Sequence, residues 1–337
     1  MRRSSGSGHN SGNNTGRRST TSRPSSPGRR PSTSIPGKAS RLSTIDLTTP
    51  GLGGGLKDVL RSRYLLKLLV QKELKVRYRG SVLGLLWSYV KPGVQFVVFW
   101  FALGIFLGMN RNTENYPIYL FSGIVLINFF NEALSNASRS IVGNGGLIKK
   151  IYLPRELFPV ASVWVSAIHF VPQLFVLLVA CFIAGWTPGV VQIGAAVIGF
   201  LIVALLAIGL GLFFGSVNVY FRDSENFVDM LLMIATWASP VLYSWTMVRD
   251  GLFDAFGAGT GGILHTIYQV NPLTIAVELF HFAFWMPTTS GVTDPLTAVP
   301  PNLLDLWMPI GVVISVLVIV LGQFTFRRLE GRFAQEL

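Results

Sequence analysis

Six long apolar runs follow one another from residue 92 onward, at 92–109, 117–139, 157–184, 190–217, 227–247 and 308–326. A helix crosses ~30 Å of hydrocarbon with about 20 residues, so each run predicts a transmembrane helix. The first reaches that length only if residues before it contribute. The third and fourth are separated by Gly185-Trp186-Thr187-Pro188-Gly189 alone, a tight turn between two spans. Ahead of the first run, Lys72 to Gly93 reads KELKVRYRGSVLGLLWSYVKPG. There Leu74, Tyr78, Val82, Leu85 and Tyr89 recur at helical spacing and predict one apolar stripe. Glu73 stands one turn before Arg77, the favourable order for an ion pair. A basic amphipathic helix running straight into an apolar one predicts a segment lying along the membrane surface. Lys91-Pro92-Gly93 supplies the expected break, since proline lacks an amide donor and glycine bends easily.

The loops carry a second pattern. An even number of spans puts both ends on one side, and that side then holds 26 of the 28 Lys and Arg residues, with only Arg111 and Arg249 opposite. By the excess of basic residues in inner loops, both termini are expected to be cytoplasmic. Between spans two and three, Leu147-Ile148-Lys149-Lys150-Ile151-Tyr152 alternates apolar and basic side chains. It suits docking into a protein groove or lying on lipid. Between spans four and five, Arg222 precedes Asp223 and Ser224, either of which is an expected helix cap. On the outer side, Asn271-Pro272 starts a helix cleanly. Leu273 to Trp285 is too apolar to be solvated and too short to cross. With Ile263 to Val270 it predicts a re-entrant or interfacial pair of half-helices. The expected fold class is therefore all-α integral membrane: six transmembrane helices, an N-terminal amphipathic interfacial helix and re-entrant outer half-helices.

Composition agrees: half of the 337 residues are apolar and only 13% are charged. The net charge of +12 does not point to nucleic acid, because 18 of the 28 basic residues precede Pro92 and none forms a stripe interleaved with aromatics. Residues 1–55 are Ser, Gly, Arg, Pro and Thr with nine basic residues and one acid, and are expected to be a disordered tail. It is either drawn to an anionic leaflet or merely solubilising. No apolar core near Met1 suggests a cleaved signal peptide. Lone Cys181 excludes an internal disulfide.

Catalytic chemistry is sparse. No glycine-rich loop ends in Gly-Lys-Ser/Thr, so the chain is not expected to bind ATP through a P-loop. Glu278 and His281 have a spacing used by some metal sites, but only His265 lies near them in sequence, and no metal is expected. Within the spans, Glu132, His169 and Asp229 are the ionisable candidates. His169 is expected to be a neutral imidazole bonded to a neighbouring helix, and Arg139 could reach Glu132 or Asp229.

The KELKVRYRGSVLGLLWSYVKPG stretch, LIKKIYLPRELFP, VYFRDSENF and QVNPLTIAVELF occur in this order among six spans. In this the chain resembles the membrane subunits of polysaccharide-exporting ABC transporters of the O-antigen and teichoic acid type, over about residues 56–337. The resemblance implies a type-2 ABC exporter permease fold and a homodimer in a bacterial cytoplasmic membrane. It also implies two separate ATPase subunits, which hold the ATP and Mg that this chain does not, and a lipid-linked polysaccharide as substrate. It makes 72–90, with Arg77, Tyr78, Arg79 and Trp87, a gate helix at substrate entry. It makes 144–154 and 220–226 the helices that couple to the ATPase, and 262–286 the re-entrant outer helices. Arginine outnumbers lysine, which suggests an actinobacterial member and a galactan (an arabinogalactan precursor) as cargo.

Two expectations concern how such a substrate is handled. Arg77 and Arg79 match phosphate oxygens bidentately, though both could simply anchor the helix to lipid headgroups. A sugar polymer presents flat C–H faces that aromatic rings stack on, so Tyr89, Phe96, Trp100, Trp237 and Tyr243 are candidate channel-lining residues. Tryptophan and tyrosine at a membrane interface are the plainer alternative. A secondary flippase would need internal repeats and midplane ion ligands. A membrane glycan-processing enzyme would need clustered loop acids. Neither pattern is present.

Overall fold

The computed structural model describes residues 55–81, 84–151, 153–289 and 299–337. All but the last residue of the expected N-terminal tail, and Tyr152, lie outside them. The described residues form helices α1 (Arg63–Arg77), α2 (Trp87–Phe99), α3 (Tyr116–Gly143), α4 (Leu157–Ile183), α5 (Val190–Tyr220), α6 (Ser224–Trp237), α7 (Trp245–Val270), α8 (Pro272–Phe280) and α9 (Met308–Leu329). Among these residues, five stretches are long and apolar enough to cross a membrane: Tyr89–Phe106, Tyr116–Gly143, Leu157–Ile183, Val190–Tyr220 and Leu303–Arg332. They match five of the six expected runs to within a few residues at most ends.

The remaining run, 227–247, is not one helix. Helix α6 has 14 residues, about 21 Å at 1.5 Å per residue, which falls short of the hydrocarbon thickness. It stops before Ser239-Pro240, and the chain from Ala238 to Ser244 is non-helical, so Tyr243 is not on the helix that carries Trp237. The buried and half-buried carbonyls freed by this turn are satisfied from α3. The Tyr116 hydroxyl donates to the Leu242 carbonyl at 3.1 Å, and the Tyr119 hydroxyl reaches the Pro240 and Tyr243 carbonyls at 3.1 and 2.9 Å. Asp223 stands at the N-cap position of α6 but its side chain makes no capping bond.

The break before the first span also differs from expectation. Helix α1 ends at Arg77, and Gly80 takes a left-handed φ of 77° that a side chain would oppose. Pro92 instead sits inside α2, and a wider helical turn over Trp100–Phe106 completes the span. Proline is tolerated in a membrane helix where local adjustment re-satisfies the freed carbonyl. Of the expected stripe, Leu74 is therefore on α1 and Tyr89 on α2, with Tyr78 and Leu85 between them, while Val82 lies outside the described residues. At Asn271-Pro272 the expectation holds, with the Asn271 side chain accepting from the Leu273 amide at 3.1 Å. Helix α8 is buried from Leu273 to Phe280, and the helix before it is longer than expected, kinked at Gly257.

Glycine decides how tightly the bundle closes. A Cβ added to Gly322 on α9 would lie 2.1 Å from the Gly209 carbonyl oxygen on α5, and one on Gly211 would lie 2.5 Å from the Ala137 Cβ on α3. Small residues that let backbones touch are a main means of holding helices together in lipid. Gly322→Ala is therefore expected to force α5 and α9 apart, destabilising the protein by about 1–3 kcal/mol. Gly194→Ala, where a Cβ meets nothing within 4 Å, should be neutral or better. Thermal unfolding of the detergent-purified variants checks the contrast; equal midpoints would contradict it.

Candidate functional site

Where α1 ends and α2 begins, both lean on α3 and α4 around a cavity of about 920 Å³. Arg77 and Tyr78 line it from the end of α1, Trp87 and Lys91 from the start of α2. The far wall is a polar stripe on α3, with Asn128, Asn131, Glu132, Ser135 and Asn136. Helix α4 contributes His169 and Gln173.

Glu132 is the hub. The Arg77 guanidinium pairs with its Oε1 and donates through Nη2 to Asn136 Oδ1 at 3.0 Å. His169 Nδ1 lies 2.6 Å from the same carboxylate oxygen, and the Tyr78 hydroxyl lies 2.7 Å from His169 Nε2. One assignment of protons satisfies this chain with a neutral ring: Tyr78 O–H donates to Nε2, and Nδ1–H donates to Glu132. Burial raises the Tyr78 pKa above its usual value; Arg77 opposes the shift and Glu132 adds to it. The hydroxyl therefore keeps its proton and remains a donor. His169 is 2% exposed and is bonded to a neighbouring helix as expected.

The expected reach of Arg139 to Asp229 is realised, whereas the ion pair expected between Glu73 and Arg77 is not: Glu73 pairs with Lys72, and Arg77 is drawn across to Glu132. Arg139 Nη2 lies 2.8 and 2.7 Å from the two Asp229 oxygens, and Nε lies 3.4 Å from Glu225 Oε2. Arg139 thus binds α6 to α3, while Glu132 takes Arg77 as its cation. A smaller polar cluster lies one turn along. Asn144, just past α3, accepts from Lys72 Nζ, donates towards Glu73 Oε1 at 3.4 Å, and donates to the Ser140 carbonyl at 2.8 Å.

The other candidates divide. Arg79 is exposed and does not line the cavity. Tyr89 and Phe96 line a separate apolar cavity of about 440 Å³, with Phe96 edge-on to Phe121. Trp100 lines neither cavity; it packs at Gly104, where an added Cβ would lie 3.0 Å from its ring. Trp237 is 59% exposed, and the Tyr243 hydroxyl donates to the Trp237 carbonyl. Within the chain the five aromatics do not form one path.

The loop after α3 also sorts by side. Leu147 and Ile148 pack inward against the cluster of Val59, Leu69, Leu157 and Phe158. Lys149 and Lys150 are exposed, as is Ile151 at 51%. Phe221, Arg222 and Asp223 are exposed together in the loop before α6. Glu278 and His281 are buried 3.6 Å apart, and no group of three His, Cys, Asp or Glu suited to a metal occurs among the described residues.

Reading residues singly missed the cavity amides Asn128, Asn131, Asn136 and Gln173. A signal was present: in α3, polar residues recur at 128, 131/132, 135/136 and 139, a stripe with helical spacing through an apolar run.

A family profile described as ABC-2 type transporter matches residues 64–285. The O-antigen export system permease protein RfbA of Klebsiella pneumoniae is 30% identical over 186 residues, 55% of this chain and 71% of that protein. The protein of that name from Myxococcus xanthus is 31% identical over 196 residues, 58% and 74% of the two chains. The capsule polysaccharide export inner-membrane protein CtrC of Neisseria meningitidis is 24% identical over 274 residues, covering 77% of this chain and 96% of the relative.

The Arg77–Glu132 pair joins α1 to α3, so the two residues should be coupled in stability. A double-mutant cycle with Arg77→Gln and Glu132→Gln, read by denaturant unfolding in detergent, is expected to give an interaction of about 0.5–3 kcal/mol. Strict additivity would mean that the pair does not hold the helix end.

Proposed function

Because the chain belongs to the ABC-2 type transporter membrane family, we propose that it is the permease subunit of an ATP-driven exporter that carries a lipid-linked polysaccharide from the inner to the outer face of the bacterial cytoplasmic membrane. The observation that carries this reading is the 920 Å³ cavity, in which Arg77 and Lys91 face a wall of amides and hydroxyls. The cations suit an anionic headgroup, and Asn128, Asn131, Ser135, Asn136 and Gln173 suit sugar hydroxyls. The relatives' names, O-antigen and capsule polysaccharide export, support the same class of cargo. A galactan is the first glycan to try.

Glu132 sets how entry works in this reading. Its carboxylate occupies the guanidinium that an incoming phosphate would use, so the headgroup must displace it. Displacement frees the end of α1 and opens the chamber. Arg79, exposed beyond the helix end, acts in first capture. Two copies of the chain assemble as a homodimer with both termini cytoplasmic. Two ATPase subunits supply ATP and Mg and dock on the loops at 144–154 and 220–226.

Depletion of the chain in its own bacterium tests the function directly. A lipid-linked glycan is expected to accumulate on the inner face; normal surface glycan with no accumulation would sink the reading. Docking makes a sharper demand. Ile151→Asp puts a charge into an exposed apolar contact and should sharply reduce co-purification with the ATPase subunit, leaving folded yield intact. Ile148→Asp should instead lower folded yield, because that side chain packs inward. Full co-purification of the Ile151 variant would place docking elsewhere.

A further inference from the structure

The 440 Å³ cavity beside the polar chamber has a different chemistry. It lies between α2, α3 and α4, and except for Tyr89 and Gln173 its lining side chains are hydrocarbon or glycine. Val97 and Val176, 47% and 42% exposed, stand at its walls, so it opens onto the apolar surface of the bundle. Its volume falls in the ~300–1,000 Å³ range of small-molecule sites. An opening of this kind in a bilayer admits a hydrocarbon chain.

The two cavities meet. Pro92 and Gln173 line both, so a polar, charged compartment and a hydrocarbon one share a wall. Gln173 is 6% exposed, and its Nε2 donates to the His169 carbonyl at 3.3 Å. Its Oε1 is buried and has no hydrogen-bond partner among the described residues. A buried acceptor without a partner costs about 1–3 kcal/mol, and a ligand that donates to it recovers that cost. This orphan acceptor stands at the boundary between the two compartments.

The geometry points to a bipartite amphiphile site. The apolar cavity seats the hydrocarbon chain of the transported lipid, the polar chamber seats its anionic headgroup, and Gln173 Oε1 accepts a hydroxyl of that headgroup at the junction. The assignment rests on the exporter reading above and adds to it a chain-binding slot and a positioning residue. The chain is that of the cargo rather than of bulk lipid, because the slot is continuous with a chamber shaped for a charged and hydroxylated head.

Gly93 allows a clean test. It lines the slot, and a Cβ there meets nothing within 4 Å, so a larger side chain enters open space. The permease–ATPase complex in nanodiscs is given a polyprenyl diphosphate sugar with a diazirine on its chain, or a phosphatidylglycerol with a diazirine on an acyl chain. Crosslinked peptides are then mapped. The polyprenyl probe is expected to label the peptides carrying Phe96, Phe121 and Val176, and Gly93→Phe to abolish that labelling and export together. Co-purification with the ATPase subunit shows that the variant is folded. Gln173→Leu should weaken labelling by the polyprenyl probe about tenfold, the equivalent of one hydrogen bond, without lowering the unfolding temperature. A merely structural glutamine would give the reverse.

Equal labelling by phosphatidylglycerol would reduce the slot to a groove for bulk lipid. Normal export by Gly93→Phe would overturn the proposal while leaving the exporter reading in place. Failure of the exporter reading looks different, since the parent complex would then move no lipid-linked glycan whatever its labelling.

Discussion

A carboxylate within an apolar helix must be paired or neutralised, and Glu132 meets that demand with groups from two other helices. Its charge draws the Arg77 guanidinium inward, and its second contact fixes the His169 ring, which in turn orients the Tyr78 hydroxyl. Three residues from two other helices are thereby held by one side chain. The pairing ties the end of α1 to α3 and α4 along the wall of the chamber. An amide in place of this carboxylate would keep the size of the side chain and lose the reason for the arrangement.

Around that hub the bundle is unevenly packed. Within the apolar windows of the spans, 78% of residues are buried in α3 but only 11% in the stretch Tyr89–Phe106. Backbone contact at Gly209 and Gly322 joins α5 to α9, and Gly211 against Ala137 joins α5 to α3. The interior wall of the chamber is therefore set on a closely packed core, while α2 is attached mainly along one face. Elements with few buried contacts open at lower cost than packed ones. The outer wall is the one able to give way.

Much of this was written in the chain and some was not. The spans α3, α4, α5 and α9 follow from long, predominantly apolar runs, because length and hydropathy are local properties. The break before the first span does not, because proline weakens a helix less where the surrounding bundle compensates, and Gly80 rather than Pro92 ends the segment. The shortening of α6 depends on Tyr116 and Tyr119, more than a hundred positions away, whose hydroxyls satisfy the broken turn. Arg77, Tyr78, Glu132 and His169 were each conspicuous alone, yet their union joins positions 55 and 92 residues apart. The inward turn of Ile148 beside the outward Ile151 is equally a tertiary fact, since both read alike as apolar residues in a basic loop.

The bonds of Asn144 have a mechanical meaning. This side chain joins the end of α3 and the start of the following loop to Lys72 and Glu73, which lie on α1 about 6–7.5 Å of helix before Arg77. Helix α1 is thus pinned at Asn144 and paired with Glu132 at its end, both contacts on one helical segment. Were the loop displaced, the segment from the Asn144 contact to Arg77 would carry the displacement to the Glu132 pairing as a helix rather than as a flexible chain. Shortening or loosening that pin would leave both ends intact and remove the transmission between them.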